Sequence, residues 1–318
     1  MIETCSGTTI NRINFPTMLV NTRQDDILGR LFEPTAEPAP FGIGGPAPAV
    51  EILTLSRLRA GAAANELARP FRSDRHCLMT LTSGAMRHAV DFEEHRLAPG
   101  QWLWARPGQV QQWGGLDRAE GTVIRFATGF LDPDTAIGVC ADDPHAPVLR
   151  VPASEDHALL RAATTQLQWE HSADRLPLGT RQQVLRHLLA VLVLRVASLP
   201  GAAVEPDQSE VYLAFRDAVE RDFANTRRLS DYAEALAYSP RTLSRATIAA
   251  AGMPAKEFID KRVVLEAKRM LACSAVPAAR IGERLGFTSA TNFNKFFAQR
   301  TGMTPIAFRS ETAASAQH

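Results

Sequence analysis

The stretch GFTSATNFNKFFAQRTGMTP, residues 286–305, contains three phenylalanines at helical spacing, Phe293, Phe296 and Phe297. Their spacing predicts one firmly buried face of an α-helix, and small polar residues with one lysine fill the opposite face. Ser289 is a preferred N-cap residue, and Gly302 is suited to the left-handed position that ends a helix. The stretch therefore predicts a short capped helix with one apolar and one polar face.

The same pattern occurs 50 residues earlier, which indicates an internal duplication. SPRTLSRATIAAAGMPAKEF (239–258) aligns with SATNFNKFFAQRTGMTPIAF (289–308), and YAEALAYS (232–239) aligns with IGERLGFTS (281–289). Each copy predicts a short helix, a tight turn and a second helix. An intervening helix, predicted from about 254 to 272, would measure roughly 28 Å at about 1.5 Å per residue. One turn of DNA measures about 34 Å, so such a helix can hold two units in successive major grooves.

In a helix-turn-helix unit, the N-terminal residues of the second helix contact base edges. Arginine and lysine can pair with guanine, asparagine with adenine, and threonine can contact thymine. The candidate DNA-binding residues are Arg241, Thr242, Ser244 and Arg245 in the first copy and Thr291, Asn292, Asn294 and Lys295 in the second. The alternative is a plain helical bundle whose polar residues face water; the duplication and the caps favour DNA binding.

The charge distribution agrees with a polyanionic partner for the C-terminal third. Residues 208–310 contain 16 Lys+Arg and 10 Asp+Glu, a net charge of 16 − 10 = +6. The rest of the chain carries 19 − 24 = −5, which gives the overall +1. A basic segment joined to an acidic remainder is typical of a nucleic-acid-binding domain attached to another domain.

Over residues 209–309 the sequence resembles the AraC/XylS family of bacterial transcriptional regulators, most clearly in RIGERLGFTSATNFNKFFAQRTGMTPIAFR. The resemblance implies two helix-turn-helix units bridged by a helix, which bind promoter DNA and usually contact RNA polymerase. One departure concerns the first copy, which has Ala246 and Thr247 where the second has Phe296 and Phe297. We therefore expect a thinner core behind the first recognition helix.

The N-terminal half has a sequence pattern that differs from the helical pattern of the C-terminal region. After the Pro- and Gly-rich stretch EPTAEPAPFGIGGPAPA (33–49), short β-favouring runs separated by turns predict a small sandwich or barrel. Residues 71–115 resemble the cupin-like sensor barrel common in the family. The predicted fold class is α+β multidomain, with a leader (1–49), a cupin-like barrel (50–150), dimerisation helices (151–199), a linker (200–208), an all-α double helix-turn-helix domain (209–310) and a disordered tail (311–318).

The predicted dimerisation segment contains two helices. The first is capped by Ser154 and runs to about 171, and the second runs from about 180 to 198. Apolar residues, including Leu189 and Leu192, extend too far round the second helix for one barrel face to cover. The sequence thus predicts a homodimer through this helix; the alternative is that both helices pack on the barrel.

The barrel lacks the ligand set of a metal cupin. Arg72, Asp74 and His76 stand where histidines and a glutamate are needed, and Gln111 replaces the later histidine, so we expect no metal and no cofactor. His88 and His95 are read as solvated strand residues rather than ligands. The candidate ligand-binding residues, which would suit a small organic acid or aromatic effector, are Arg72, Trp102, Trp104, Arg106, Gln111 and Trp113; the tryptophans could equally form ordinary core.

Catalytic motifs such as G-x-S-x-G, a Walker loop or H-E-x-x-H are missing from the sequence, so we expect no enzyme. MIETCSGTTI lacks the features of a signal peptide, LLAVLVL (188–194) is too short to span a bilayer, and four scattered cysteines suit a reducing cytoplasm. Three hypotheses follow: a ligand-responsive transcription activator; a regulator controlled by protein partners, with an empty barrel; and a cupin enzyme with a DNA-binding tail. The effector, the operator and the sign of regulation are not encoded in any motif.

Overall fold

The computed structural model describes residues 48–61, 64–116, 118–201 and 209–315. The predicted leader lies outside the described residues up to position 47, and so does the predicted linker from 202 to 208. The described strands are β1 (Val50–Thr54), β2 (Phe71–Arg72), β3 (Arg75–Ser83), β4 (Met86–Val90), β5 (Glu93–Leu97), β6 (Trp102–Ala105), β7 (Val110–Trp113), β8 (Glu120–Ala127) and β9 (Leu149–Arg150). Short helices α1 (Leu55–Gly61), α2 (Ala64–Leu67) and α3 (Pro133–Gly138) lie among them.

These strands form two antiparallel sheets, with orders β1-β8-β3-β6-β9 and β2-β7-β4-β5. Apolar side chains from both sheets meet between them, for example Met79 and Leu103 from the first and Met86 and Val90 from the second. The predicted cupin-like barrel is not confirmed, because among the described strands no hydrogen-bonded ladder joins one sheet to the other. The N-terminal domain is β-rich, as the short apolar runs predicted.

Two longer helices, α4 (Asp156–Ser172) and α5 (Leu178–Ala197), cover the outer face of the five-stranded sheet. On β6, Trp102 and Trp104 point toward these helices, whereas Leu103 points into the space between the sheets. Leu189 and Leu192 are fully buried within this packing. The prediction that these two leucines need a partner subunit is therefore wrong: the sheet of the same chain covers them.

Two predicted boundaries also differ from the structure. Helix α4 begins at Asp156, and the Ser154 hydroxyl bonds to the side chain of Glu155 instead of capping the helix. The Asp156 carboxylate accepts the backbone N–H of Ala153 at 3.1 Å, so an acid inside the first turn bonds back to the residue before Ser154. Near the end of the sequence, the tail predicted as disordered from 311 is helical as far as Ser315.

The C-terminal domain consists of helices: α6 (Glu210–Asp222), α7 (Leu229–Ala235), α8 (Pro240–Ala251), α9 (Ala255–Cys273), α10 (Ala278–Arg284), α11 (Ala290–Thr301) and α12 (Pro305–Ser315). The pairs α7–α8 and α10–α11 are the two predicted helix-turn-helix units. Helix α9 joins them and extends over 19 residues, which corresponds to about 28 Å.

Candidate nucleic-acid interface

The first recognition helix, α8, begins and ends as its sequence predicts. The hydroxyl of Ser239 accepts the backbone N–H of Thr242 at 3.0 Å, Pro240 occupies the first turn, and Gly252 ends the helix at φ +68°. Gly252 fits because a left-handed backbone is unstrained only without a Cβ atom. These caps fix where the helix starts and therefore which residues project from its N-terminal turn.

Four candidate DNA-binding residues project from α8. Arg241 and Arg245 are exposed, and neither forms an ion pair with any residue in the described ranges. Thr242 and Ser244 are half-buried, and the Thr242 hydroxyl lies 2.8 Å from the hydroxyl of Ser239. Thr242 thus contributes to the cap, while the two arginines are the side chains of this set that are available to pair with guanine.

The second recognition helix, α11, has the same construction. The Ser289 hydroxyl accepts the backbone N–H of Asn292 at 3.2 Å, and Gly302 ends the helix at φ +78°. The four candidate residues of this helix are all exposed; they are Thr291, Asn292, Asn294 and Lys295. The Asn292 amide donates to the Thr288 hydroxyl at 3.2 Å, which holds that side chain near the start of the helix.

The two units differ in the buried side chains that pack behind the exposed candidate DNA-binding residues. In the second unit Phe293 and Phe297 are fully buried, and the rings of Phe287 and Phe293 lie 5.3 Å apart. In the first unit Leu243 and Thr247 fill the equivalent space, and the Thr247 hydroxyl bonds to the carbonyl of Leu243 at 2.7 Å. The internal bond satisfies the buried hydroxyl. The first core is built from smaller side chains, as the sequence predicts.

Helix α9 is tied to the second unit by a buried acid. Asp260 is 1% exposed and binds the Lys256 ammonium group at 2.5 Å and the Arg300 guanidinium at 2.6 Å. A separate contact links the loop between α6 and α7 to the second unit: the Arg227 guanidinium lies 3.8 Å above the Phe287 ring and donates to the carbonyl of Leu285 at 2.8 Å. These contacts favour a fixed distance between the two recognition helices.

The opposite side of α9 contacts the N-terminal domain through the interdomain charge cluster, defined as Arg72, Asp91, Arg262, Glu266 and Arg269. The two oxygens of Glu266 accept bonds from Arg72 at 2.7 and 3.3 Å, and the two oxygens of Asp91 accept bonds from Arg269 at 2.8 and 2.6 Å. Burial alone would raise the pKa of Glu266, but the charges of Arg72, Arg262 and Arg269 outweigh it and lower that pKa to about 2. Glu266 is therefore a fully ionised carboxylate inside the interface.

A hairpin turn places Asp91 in this cluster. Asp91 and Phe92 join β4 to β5 with φ values of +52° and +69°, an unfavourable conformation for a residue as bulky as phenylalanine. The Phe92 ring lies 5.5 Å from the ring of Phe308 on α12, and the Lys268 ammonium group lies 5.8 Å from the centre of the Phe92 ring. Contacts with the C-terminal domain hold the strained turn in place.

A second set of contacts joins α6 to the segment between α3 and β9. Arg216 pairs with Asp143 at 3.3 Å, and Glu220 accepts a bond from His145 at 2.8 Å. Glu220 also pairs with Arg262 of α9 at 2.7 Å. Sequence reasoning missed all of these acids, because their partners are distant along the chain and no local pattern joins them.

The residues predicted to line one ligand pocket lie in three different places. Arg72 belongs to the interdomain charge cluster, and Trp102, Trp104 and Arg106 lie on the helix-covered side of β6. Gln111 and Trp113 face the space between the sheets with His88, whose Nε2 lies 3.3 Å from the Gln111 side-chain oxygen. The structure therefore does not bring these six residues together, because they lie on or directly after strands of two different sheets that face different cores.

The two histidines of the β4–β5 hairpin also differ from expectation. His88 is fully buried, its ring packs edge-on against Trp113 at 4.5 Å, and burial lowers its pKa to about 3. The prediction that His88 is solvated is therefore wrong, whereas His95 is half-buried. Within the described ranges, no three His, Cys, Asp or Glu side chains gather as metal ligands would. No described helix is long and apolar enough to cross a membrane.

Comparisons with known proteins found one family match and several similar proteins. A family profile described as a helix-turn-helix domain matches residues 232–311, from α7 into α12. The MmsAB operon regulatory protein of Pseudomonas aeruginosa is 24% identical over 249 residues, which cover 75% of this chain and 76% of that protein. ToxT from Vibrio cholerae is similar in structure at a TM-score of 0.42 and 9% identity, over 83% of this chain and 98% of ToxT. The C-terminal domain of AraT from Geobacillus stearothermophilus matches at a TM-score of 0.31 and 24% identity, over 33% of this chain and 87% of that domain.

Proposed function

The chain belongs to the AraC/XylS family of transcriptional regulators, and we propose that it activates transcription when a small organic ligand binds its N-terminal domain. The chain is a DNA-binding regulator of the AraC type with a β-rich N-terminal domain. The remainder of the proposal concerns what controls it, what it contacts and how it reads its sites.

The observation that carries DNA recognition is the pair of capped helices with exposed reading faces. Arg241 and Arg245 on α8 and Lys295 on α11 are cations that pair with no described acid. Helix α9 holds the two helices on a rigid spacer of about 28 Å, slightly under one turn of DNA. We therefore propose that α8 and α11 occupy successive major grooves on one face of the duplex.

In vitro selection from a random duplex library, with the full-length protein at fixed salt, tests this proposal of two-groove binding. We expect selected sites to contain two short conserved blocks whose centres lie about 10 base pairs apart. A control protein with Arg241→Ala, Arg245→Ala and Lys295→Ala should fold normally and lose the enrichment. Sites with one conserved block, or no enrichment with the wild-type protein, would contradict the proposed two-groove binding.

Effector control is supported by the contacts between the two domains. The interdomain charge cluster places the N-terminal domain on α9, the helix that sets the relation between the recognition helices. A ligand can shift such an arrangement only if it binds one domain arrangement more tightly than another. The turn and the α3–β9 segment of the β-rich domain both contact the DNA-binding domain, so a ligand that favours formed or broken contacts would shift the arrangement.

We further propose a cytoplasmic homodimer that contacts RNA polymerase, has no enzymatic activity of its own, and uses its two-sheet domain as a cupin-like sensor. Val191 and Leu194 on α5 are 47% and 44% exposed and offer a surface for a second copy. A promoter fusion carrying a selected site, compared in cells with and without the protein, decides the sign of regulation. Activation predicts higher reporter output with the protein present, and lower output would make it a repressor.

A further inference from the structure

Arg106 presents a buried pair of hydrogen-bond donors that lacks an acceptor. Its side chain is 1% exposed, and its Nη1 donates to the carbonyl of Trp104 at 3.0 Å and to that of Ala146 at 3.3 Å. Its Nε and Nη2 atoms are buried and have no hydrogen-bond partner in the part of the chain that the structure describes. These two atoms form one edge of the guanidinium plane, the fork that carboxylates bind in a bidentate manner.

Three other arginines with little exposed side chain each hold a carboxylate. Arg72 pairs with Glu266 at 2.7 Å, Arg125 with Glu51 at 3.2 Å, and Arg216 with Asp143 at 3.3 Å. Arg106 forms no such ion pair with any described residue. The vacant fork of Arg106 therefore differs from these three pairs, and buried polar groups that lack partners call for an explanation.

The two acids whose charges act on Arg106, Asp142 and Asp143, each pair with another residue. Asp142 pairs with the His76 ring at 3.3 Å, and Asp143 pairs with Arg216. Burial, together with the charge of Arg150, lowers the pKa of Arg106 to about 10, although Asp143 and Asp142 act in the opposite direction. Arg106 thus remains a cation at neutral pH, stacked 4.7 Å above the ring of Trp104.

We propose that the Nε–Nη2 fork of Arg106 is the recognition group of an effector site and that the effector is a small monocarboxylate. One planar fork matches the two oxygens of one carboxylate, and the aromatic rings of Trp104, His76 and Phe126 provide an apolar surround. A second negative charge on the ligand would face Asp142 and Asp143, which selects against dicarboxylates and phosphate. The inference rests on the proposed ligand-responsive function and names the ligand class and its recognition group.

The segment 139–148, between α3 and β9, borders Arg106 and also contacts the DNA-binding domain. Its carbonyls at Ala146 and Pro147 lie on the Nη1 of Arg106, at 3.3 and 3.5 Å. Its Asp143 and His145 contact α6 through Arg216 and Glu220. We infer that a carboxylate at the fork shifts this neighbouring segment and so loosens its contacts with α6. Effector binding and domain docking are thereby linked.

The test uses the full-length protein and defined probes. Sodium acetate, butyrate and benzoate are compared with acetamide, butyramide and benzamide, with sodium chloride added to equal ionic strength. We expect at least one carboxylate to raise the melting temperature in a saturable manner and to change tryptophan emission, because the charge above Trp104 is neutralised. The matching amide, which has the same shape without the charge, should do neither.

Substitutions of Arg106 test whether the response to carboxylates arises at its fork. Arg106→Gln removes the fork, and Arg106→Lys keeps the charge but cannot bind two oxygens side by side. Both should lower carboxylate affinity by about tenfold or more, whereas Arg125→Gln, a change to a paired arginine of the same domain, should retain the response. Circular dichroism checks that each variant is folded, and the carboxylate–amide comparison in the wild-type protein stands without any variant.

The proposal is overturned if no carboxylate acts beyond matched chloride, if amides act equally, or if the Arg106 variants respond like the wild-type protein. Site-specific DNA binding without any ligand is measured separately. If DNA binding is normal while carboxylates have no effect, the Arg106 site is wrong and the DNA-binding function stands. If DNA binding is lost as well, the proposed function itself fails.

Discussion

Replacing Glu266 by glutamine tests whether the interdomain charge cluster holds the N-terminal domain on α9. Glu266→Gln preserves the shape of the side chain and removes its charge. Glu266 is fully buried and pairs with Arg72 from the N-terminal domain and with Arg262 and Arg269 from its own helix. The substitution therefore leaves three arginines close together without the carboxylate that balances them.

The expected cost follows from the pKa of Glu266. Its folded-state pKa is about 2 and its ordinary value is 4.5. At about 1.36 kcal/mol for each pH unit, this difference corresponds to about 3 kcal/mol of stability at pH 7. Because the folded-state pKa is the lower one, this stabilisation is present above pH 4.5 and is lost as the pH falls toward about 2. Removal of one partner from a buried ion pair typically costs about 3–5 kcal/mol, which agrees with the value obtained from the pKa difference.

Urea unfolding with two signals measures the effect without screening the ion pairs. The four tryptophans are at positions 102, 104, 113 and 169, so their fluorescence reports the N-terminal domain. Circular dichroism at 222 nm reports mainly α6–α12, which contain most of the described helical residues. In the wild-type protein we expect the two transitions to coincide. In Glu266→Gln the circular dichroism transition should move to lower urea and separate from the fluorescence transition.

Arg72→Gln should reproduce that separation, because Arg72 is the partner of Glu266 in the other domain. Glu283→Gln is the matched control: Glu283 pairs with Arg280 at the surface, so both transitions should stay where they are. A Glu266→Gln protein whose unfolding free energy at pH 7 lies within about 1 kcal/mol of wild type, with coincident transitions, would refute the reasoning about this cluster.

Three further outcomes are expected. Arg245→Ala should weaken binding to a selected site by more than Lys295→Ala, by roughly 1–3 kcal/mol, since a bidentate arginine discriminates bases better than a point charge; gel shifts at fixed salt on selected and scrambled DNA decide this. Gly282→Ala should cost about 1–3 kcal/mol in thermal unfolding, because the new Cβ would lie 2.8 Å from the Cβ of Phe293; an unchanged melting temperature contradicts it. Val191→Glu should give a folded monomer, and sedimentation that still shows a dimer at micromolar concentration would exclude α5 as the interface.

The recognition helices could be predicted because their determinants are local. Ser239 caps α8 through a bond to a residue three positions on, and Gly252 supplies the left-handed backbone that ends it. Ser289 and Gly302 repeat the arrangement 50 residues later. Each determinant acts within one helical turn, so a pattern read along the chain contains all of it.

The contacts between the domains could not be predicted in this way. Arg72 was expected at a ligand pocket, but its carboxylate partner Glu266 lies 194 residues further along the chain. Nothing in either neighbourhood indicates that pairing. Trp104 and Trp113 each follow the expected strand alternation, yet they belong to different sheets and face different cores. Alternation predicts which residues share a face of a strand, and the tertiary arrangement decides what that face contacts.

The exposed reading faces limit how the N-terminal domain can control DNA binding. Arg245 and Lys295 are exposed while the interdomain charge cluster is formed, so the docked domain does not cover them. Control through α9, which sets the spacing and orientation of α8 and α11, requires no contact with these exposed residues. When two units are joined, the second binds at an effective concentration that depends on that geometry.

Control through α9 should affect binding to a full site, which has both recognition blocks, and not binding to a half-site, which has one. Glu266→Gln should change the affinity for a duplex with both recognition blocks, and it should leave unchanged the affinity for a duplex with one block and scrambled flanking sequence. A half-site engages one helix, so the relation between α8 and α11 does not enter its binding free energy. Fluorescence anisotropy at fixed salt measures both affinities, with Glu283→Gln as the control for a surface charge change. An equal change on the two duplexes would mean that the cluster acts on the recognition helices themselves.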